Sequence, residues 1–331
     1  MNKKIIHTVF ENIVKNYGEN IALQGDKGNI SYQELNQYSN KLAHLLLNSN
    51  ISKNEIATVY FSDPRLQVIS LLGAFKSGVI YLPIDKKYKR NHWEELYTTI
   101  RPKVYITAAE DLSLLHQFSD SFDYSIPYII TLSMDSDEVL HHKLYEYSKD
   151  TYVDITRKGQ LSVENPELEF GDNDSNYIYF TSGSTGNPKA VLGCHKSLSH
   201  FVHWECKELG IKESDKVGLL PSFSFDASIQ AIFMALINGS TLCLINSETK
   251  EDIIQLQNWI RNYNVTVLHM VPTLFRILSI YSEGEINSLS FPNLKYILLA
   301  GEKLYQKDVV NWRECHGNNT EIINFYGTTE A

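Results

Sequence analysis

Cysteine is scarce in this chain. There are four, Cys194, Cys206, Cys243 and Cys315, and no two are spaced as C-x-x-C. Neither a zinc site nor a dithiol redox pair is indicated, and four scattered cysteines read as reduced thiols. A long apolar run is also missing. Nothing reaches the roughly 18 consecutive apolar residues of a membrane span. The N-terminal stretch MNKKIIHTVFENIVKNYGEN meets Glu11, Lys15 and Glu19 too early for a secretory h-region. A cytoplasmic location is expected. Dense Lys/Arg clusters are absent, and with 30 basic against 39 acidic residues the net charge is −9. Such a chain is poorly suited to nucleic acid, so no nucleic-acid or membrane partner is expected. No repeat of fixed period and no low-complexity tract occurs.

What is present is an ordinary globular composition, 43% hydrophobic and 21% charged over 331 residues. That length suits about two domains. Apolar spacing at Ile6, Phe10, Ile13, Val14 and Tyr17 predicts an amphipathic helix. Short β-like runs fall at 56–61, 103–107, 177–181, 216–220, 240–245, 265–269, 295–300 and 321–325. Helix-length stretches fall at 65–77, 196–209, 226–238 and 251–263. The alternation predicts an α/β fold with mainly parallel sheets layered with helices. Residues 108–175 show weak periodicity and read as loops and surface elements. His141 and His142 lie there and read as solvated surface histidines, since no ligand spacing accompanies them.

The stretch TSGSTGNPK, Thr181 to Lys189, follows the apolar run YIYF. Glycines allow a tight backbone turn, successive N–H groups make an anion-binding concavity, and hydroxyls and a lysine add donors. The combination suits a polyphosphate. It is neither a Walker A loop nor a dinucleotide fingerprint. The alternative is a flexible Gly/Ser loop.

TSGSTGNPK resembles the phosphate-loop signature of the adenylate-forming enzymes: acyl-CoA synthetases, luciferases and the adenylation domains of nonribosomal peptide synthetases. ISYQELN (30–36), FKSGVIYLPID (75–85), FSFDAS (223–228) and NFYGTTE (324–330) are similar, in order, to further core motifs of those adenylation domains. The resemblance implies two interleaved α/β subdomains meeting near residues 190–200. It also implies a core ending before the family's β-barrel subdomain and small C-terminal domain, which carry the ribose-binding Asp and a Lys that bridges the reactants. Little turnover is therefore expected of these 331 residues alone.

The reaction implied is ATP plus an amino acid giving an aminoacyl-adenylate and pyrophosphate, with later transfer to a carrier-protein domain bearing phosphopantetheine. ATP and Mg²⁺ are the implied cofactors. Thr181, Ser182, Gly183, Ser184, Thr185, Gly186 and Lys189 would hold the phosphates. Gly301, Glu302, Tyr326, Gly327, Thr328 and Thr329 would line the nucleotide site, Thr328 replacing a Pro usual in the family. Glu330 would hold the metal and, with Thr181 and Lys189, act in catalysis. Asp226 would pair with the substrate ammonium, and Ala227, Gln230, His269, Leu298, Ala300 and Phe325 would line the side-chain pocket. Gln230 is similar to the residue of proline-activating and some glutamine-activating domains.

Some of these residues have plainer readings. Asp226 also suits a helix N-cap, His269 a satisfied core histidine, and Tyr326 a core aromatic. An acyl- or aryl-CoA synthetase would offer Asp226 no ammonium. A non-catalytic fragment that only keeps the fold is the third possibility.

Overall fold

The structure is a computed structural model that describes residues 5–112, 123–157, 159–182, 188–280, 291–327 and 329. In chain order its strands are β1 (Ile21–Gly25), β2 (Gly28–Ser31), β3 (Ile56–Tyr60), β4 (Ile80–Pro83) and β5 (Val104–Thr107). Then come β6 (Tyr128–Met134), β7 (Leu140–Ser148), β8 (Thr151–Asp154), β9 (Ser175–Ser182) and β10 (Pro188–Cys194). The last are β11 (Lys216–Gly218), β12 (Thr241–Cys243), β13 (Val267–Met270), β14 (Tyr296–Leu299) and β15 (Glu321–Asn324). The helices are α1 (Ile6–Tyr17), α2 (Tyr32–Asn48), α3 (Pro64–Ser77), α4 (Arg90–Glu95) and α5 (His195–Leu209). They continue with α6 (Asp226–Leu236), α7 (Ser247–Glu251), α8 (Ile253–Asn262), α9 (Pro272–Ile280) and α10 (Gln306–His316). The strands and helices are mixed through the chain, and most strand pairs are parallel, as the alternating sequence predicts.

Two compact units divide the chain. The first takes residues up to 16 and 33–201, the second 17–32 and the chain from 202 onward. The first unit's sheet runs β10-β9-β4-β3-β5-β6-β7-β8. Its α3 is buried along nearly its whole length, the polar Arg65, Gln67 and Lys76 included. Asp63 accepts from the Arg65 amide at 3.0 Å to start it, with Pro64 in the first turn, and Gly78 ends it at φ 75°. The fully buried Lys76 ammonium is neutralised by Glu11 at 2.7 Å and also donates to Asn36 at 2.8 Å.

Residues 128–154 correct the sequence reading. They form β6, β7 and β8, not loops. β7 and β8 close the sheet antiparallel at its edge. Their sequences, LHHKLYEYS and TYVD, stay partly wet on both faces, so no inside-outside alternation marks them. His141 pairs with Asp135 at 2.7 Å on the surface.

The second unit's sheet runs β15-β14-β13-β11-β12-β1-β2. All its pairs are parallel except the β1–β2 hairpin. On one face, Leu268, Met270, Ile297 and Leu299 pack with Trp259 of α8, Phe275 of α9 and Trp312 of α10. Gly218 belongs to that face: a Cβ there would lie 2.5 Å from Leu268 Cδ2 and 2.9 Å from the Trp259 ring. Gly218→Ala is expected to lower stability by about 1–3 kcal/mol, as overpacking does. Urea denaturation checks it, and an unchanged midpoint would show the core yields freely there.

Candidate functional site

The carboxyl ends of β13, β14 and β15 form the second unit's functional edge. His269 stands in register with Leu298, and Leu298 with Ile323. The ladder continues past the strands: the Ala300 amide donates to the Met270 carbonyl at 3.3 Å and the Phe325 amide to the Leu299 carbonyl at 2.7 Å. Side chains alternate in a strand, so His269, Leu298, Ala300 and Phe325 share one sheet face, the one turned away from the Trp259–Trp312 core. Four residues from three separated segments thus come together.

α5 and α6 are neighbours beside this face. The Cys206 thiol of α5 reaches the Met234 carbonyl of α6 at 3.9 Å. The Trp204 ring of α5 meets the Phe325 ring edge-on, centroids 6.4 Å apart. On α6, Asp226, Gln230 and Met234 follow at helical spacing on one side. Asp226 does not cap the helix. Phe225 holds the N-cap position, and Asp226 is the first helical residue, half-buried and without a cap hydrogen bond. Among the described residues its carboxylate has no hydrogen-bond or ion-pair partner, and neither has the Gln230 amide. The helix dipole favours a negative charge at this end. Ala227 sits beside it, half-buried.

His269 is not a satisfied core histidine. It is 5% exposed and its Nε2 has no hydrogen-bond partner among the described residues. Burial pulls its pKa down to about 4, so the ring is neutral at ordinary pH. Tyr326 is not a core aromatic either, for it is 99% exposed beyond the end of β15. Gly327 beside it is exposed, and Thr329 is half-buried.

The turn after β14 is braced by Thr273, Arg276 and Asp308, which the sequence reading did not single out. Gly301 takes φ 86°, which glycine adopts without strain. Glu302 accepts from the Thr273 amide at 2.9 Å and the Thr273 hydroxyl at 2.5 Å, at the start of α9. Arg276 lies 3.6 Å from Glu302 and donates to Asp308 at 3.1 Å. One oxygen of the Glu302 carboxylate is therefore occupied, and the backbone of the turn is free to meet a ligand.

In the first unit, the hydroxyl-rich segment joins an antiparallel pair. Thr181, next to last in β9, stands in register with Lys189, the second residue of β10. Ser182 is the last residue of β9. Gly183, Ser184, Thr185, Gly186, Thr328 and Glu330 lie outside the described residues. No group of three His, Cys, Asp or Glu side chains that could hold a metal occurs among the described residues. No helix among them is long and apolar enough to cross a membrane.

Glu205 is the group that sequence reasoning missed. It is 1% exposed, its Oε2 has no partner, and burial pushes its carboxyl up to about 8. The signal was available: Val202, Glu205 and Leu209 follow at core spacing on α5. From about pH 4.5 to 8 the folded chain keeps a proton there that the unfolded chain releases, so stability falls as pH rises through this window. Glu205→Gln should remove that slope, so that its melting temperature gains on the parent's from pH 5 to pH 8. A constant difference across that range would refute it.

An open parallel sheet with polar groups gathered at its carboxyl edge has the layout of an α/β ligand-binding enzyme core. The chain belongs to the AMP-binding enzyme family, whose sequence profile matches residues 10–331. It is 26% identical to surfactin synthase subunit 2 of Bacillus subtilis (strain 168) over 98% of this chain and 8% of that protein. It is 27% identical to tyrocidine synthase 1 of Brevibacillus parabrevis over 99% of this chain and 27% of that protein. The chain thus spans a minor part of these relatives. Among solved structures it resembles the N-terminal subdomain of Klebsiella oxytoca NpsA in complex with 3-hydroxybenzoyl-AMSN: TM-score 0.70, 21% identity, 98% of this chain and 73% of that one. It also resembles the AMPPNP-bound nonribosomal peptide synthetase FmoA3: TM-score 0.79, 17% identity, 99% of this chain and 32% of that one. The chain shares the fold of both structures.

Proposed function

We propose that the chain is the amino-acid- and ATP-binding core of an adenylation enzyme that makes an aminoacyl-adenylate for a peptide synthetase. A carboxylate oxygen of the amino acid attacks the α-phosphorus of ATP, the bond to the β-phosphate breaks, and pyrophosphate leaves. Both reactants are anionic, so the protein's work is positioning and neutralisation of charge. Asp226 pairs with the α-ammonium group, and this unpartnered half-buried carboxylate is the observation that carries the reading. His269, Leu298, Ala300, Phe325, Gln230 and Ala227 receive the side chain. The Tyr326 ring, exposed on both faces, stacks on adenine, with the backbone of Gly301 and Glu302 and the residues Gly327, Thr328 and Thr329 beside the nucleotide. Lys189 and the segment Thr181 to Gly186 hold the phosphates. Mg²⁺ in nucleotide sites takes one or two carboxylates together with phosphate oxygens, and Glu330 is the carboxylate assigned to it. The acyl product is then handed to a phosphopantetheine-bearing carrier domain. The names of the synthase relatives support the amino-acid class of substrate. An acyl- or aryl-CoA synthetase would leave Asp226 unpaired.

The test is binding of non-hydrolysable acyl-adenylate analogues to the 331-residue chain. An aminoacyl analogue at 100 times its Kd should stabilise the fold by about 2.7 kcal/mol, seen as a raised melting temperature. Fatty-acyl or aryl analogues lacking the ammonium group should give far less. Equal stabilisation by both kinds would defeat the amino-acid reading.

A further inference from the structure

Folded proteins leave few buried polar atoms without partners, because each one costs its full desolvation. The second unit leaves two on the side of its sheet where α5 and α6 sit. His269 Nε2 and Glu205 Oε2 are both orphaned there. Among the described residues no lysine, arginine or histidine forms an ion pair with Glu205.

Where Glu205 points follows from its neighbours on α5. Successive helical residues are turned by about 100°. Trp204, on one side of Glu205, meets Phe325 at the end of β15. Cys206, on the other, meets the Met234 carbonyl of α6. Val202 and Leu209, on the same stripe as Glu205, are buried. The Glu205 side chain therefore enters the layer between the Phe325 edge and α6, one turn along α6 from Gln230. Phe325 and Gln230 are both walls of the side-chain pocket assigned above.

We propose that Glu205 is the residue that recognises the substrate side chain, and that the substrate is an α-amino acid whose side chain ends in an ammonium group. The inference rests on the amino-acid adenylation reading. Its logic is complementarity at both ends of one ligand. Asp226 is an unpartnered carboxylate for the α-ammonium, and Glu205 is a second one, deeper, for the side-chain ammonium. A carboxyl without a partner in an apolar layer is costly, and a cation arriving with the ligand offsets that cost only when the site is filled. Because burial raises the Glu205 carboxyl to about 8, it carries a proton at pH 7 in the empty site and loses it when the ammonium arrives.

The test is calorimetric titration of the 331-residue chain at pH 7 with lysine, ornithine, 2,4-diaminobutyrate, norleucine, glutamine and phenylalanine. One of the diamino acids should bind about tenfold or more tightly than norleucine or glutamine, the gap expected of a hydrogen bond to a charged group. Its binding should release about one proton, read from the dependence of the heat on buffer ionisation. Glu205→Gln should abolish the proton release and bring the preference within about twofold. Tightest binding by a neutral side chain, or a diamino-acid preference that survives Glu205→Gln, would overturn the proposal and leave the adenylation reading standing. So would a fall of more than about 5 °C in the melting temperature of unliganded Glu205→Gln, which would assign the carboxyl a structural role. Failure of every amino acid to bind would sink both readings together.

Discussion

Asp226→Ala is expected to weaken α-amino-acid binding by roughly 30- to 5,000-fold while leaving adenine-nucleotide binding unchanged. The range converts the about 2–5 kcal/mol lost when one partner of a desolvated charge pair is removed. The carboxylate stands at the first position of α6, and none of the described residues neutralises it. Phe225 takes the N-cap position, and Asp226 accepts no hydrogen bond from the first-turn amides, so the helix does not depend on it as a cap. If its role were only to complement the helix dipole, Asp226→Ala would cost about 0.3–1 kcal/mol of stability and spare binding altogether. Asp226→Asn separates the two accounts further. It keeps the shape and loses the charge, so it should bind amino acids nearly as poorly as the alanine variant. Titration of each variant with amino acid and, separately, with ATP is the measurement. Amino-acid binding within a few-fold of the parent would remove Asp226 from the site.

Trp312→Ala should cost about 3–5 kcal/mol of stability, the cost of truncating a buried tryptophan. Trp312 is fully buried on α10. It stacks on Phe275 with centroids 4.9 Å apart and on Phe291 at 5.9 Å, while the His316 ring lies 4.1 Å away. The same cluster supports the rear of β13 and β14, whose front carries His269 and Leu298. The loss should therefore appear in ligand binding as well as in denaturation. The indole nitrogen has no hydrogen-bond partner among the described residues, so Trp312→Phe gives up no polar contact and should cost much less. Equal losses from the two substitutions would mean that packing of the indole is not what matters. Urea unfolding of both variants decides it.

How much of this was legible in the sequence depended on how each strand is covered. β3, β5 and β11 to β14 show as apolar runs because both faces of a parallel sheet are covered there. β7 and β8 did not, because their edge position leaves polar side chains on either face. β10 begins with Pro188 and contains Gly193, whose missing Cβ makes room for the Tyr177 ring, so it does not look like a strand. The β1–β2 hairpin turns at Asp26 and Lys27 between two glycines, a turn signal that went unused. At the site, the shared face of His269, Leu298, Ala300 and Phe325 rests on registers between strands far apart in sequence, which composition does not reveal. Motif resemblance supplied those positions. Glu205 belongs to no motif, and an acidic residue in an amphipathic helix is ordinarily solvated. Its place between Val202 and Leu209 on the core stripe of α5 hints at burial, and its burial without a partner distinguishes it.

The second unit's sheet draws β1 and β2 from one end of the chain and its other strands from far beyond. Leu23 pairs with Leu242, so β1 has no parallel neighbour until β12 has been synthesised. At ordinary elongation rates of about 5–20 residues per second that delay lasts roughly 10–40 s. Throughout it, the hairpin carrying Ala22, Leu23 and Ile30 is a nascent sheet edge with its apolar residues uncovered, the kind of surface that pairs with the wrong chain. The first unit's β3, β4 and β5 emerge in the same interval and can close on one another. Ribosome-bound chains halted before β12 should therefore hold a protease-resistant first sheet and depend on a holdase chaperone for the hairpin, a dependence that ends once β12 leaves the exit tunnel.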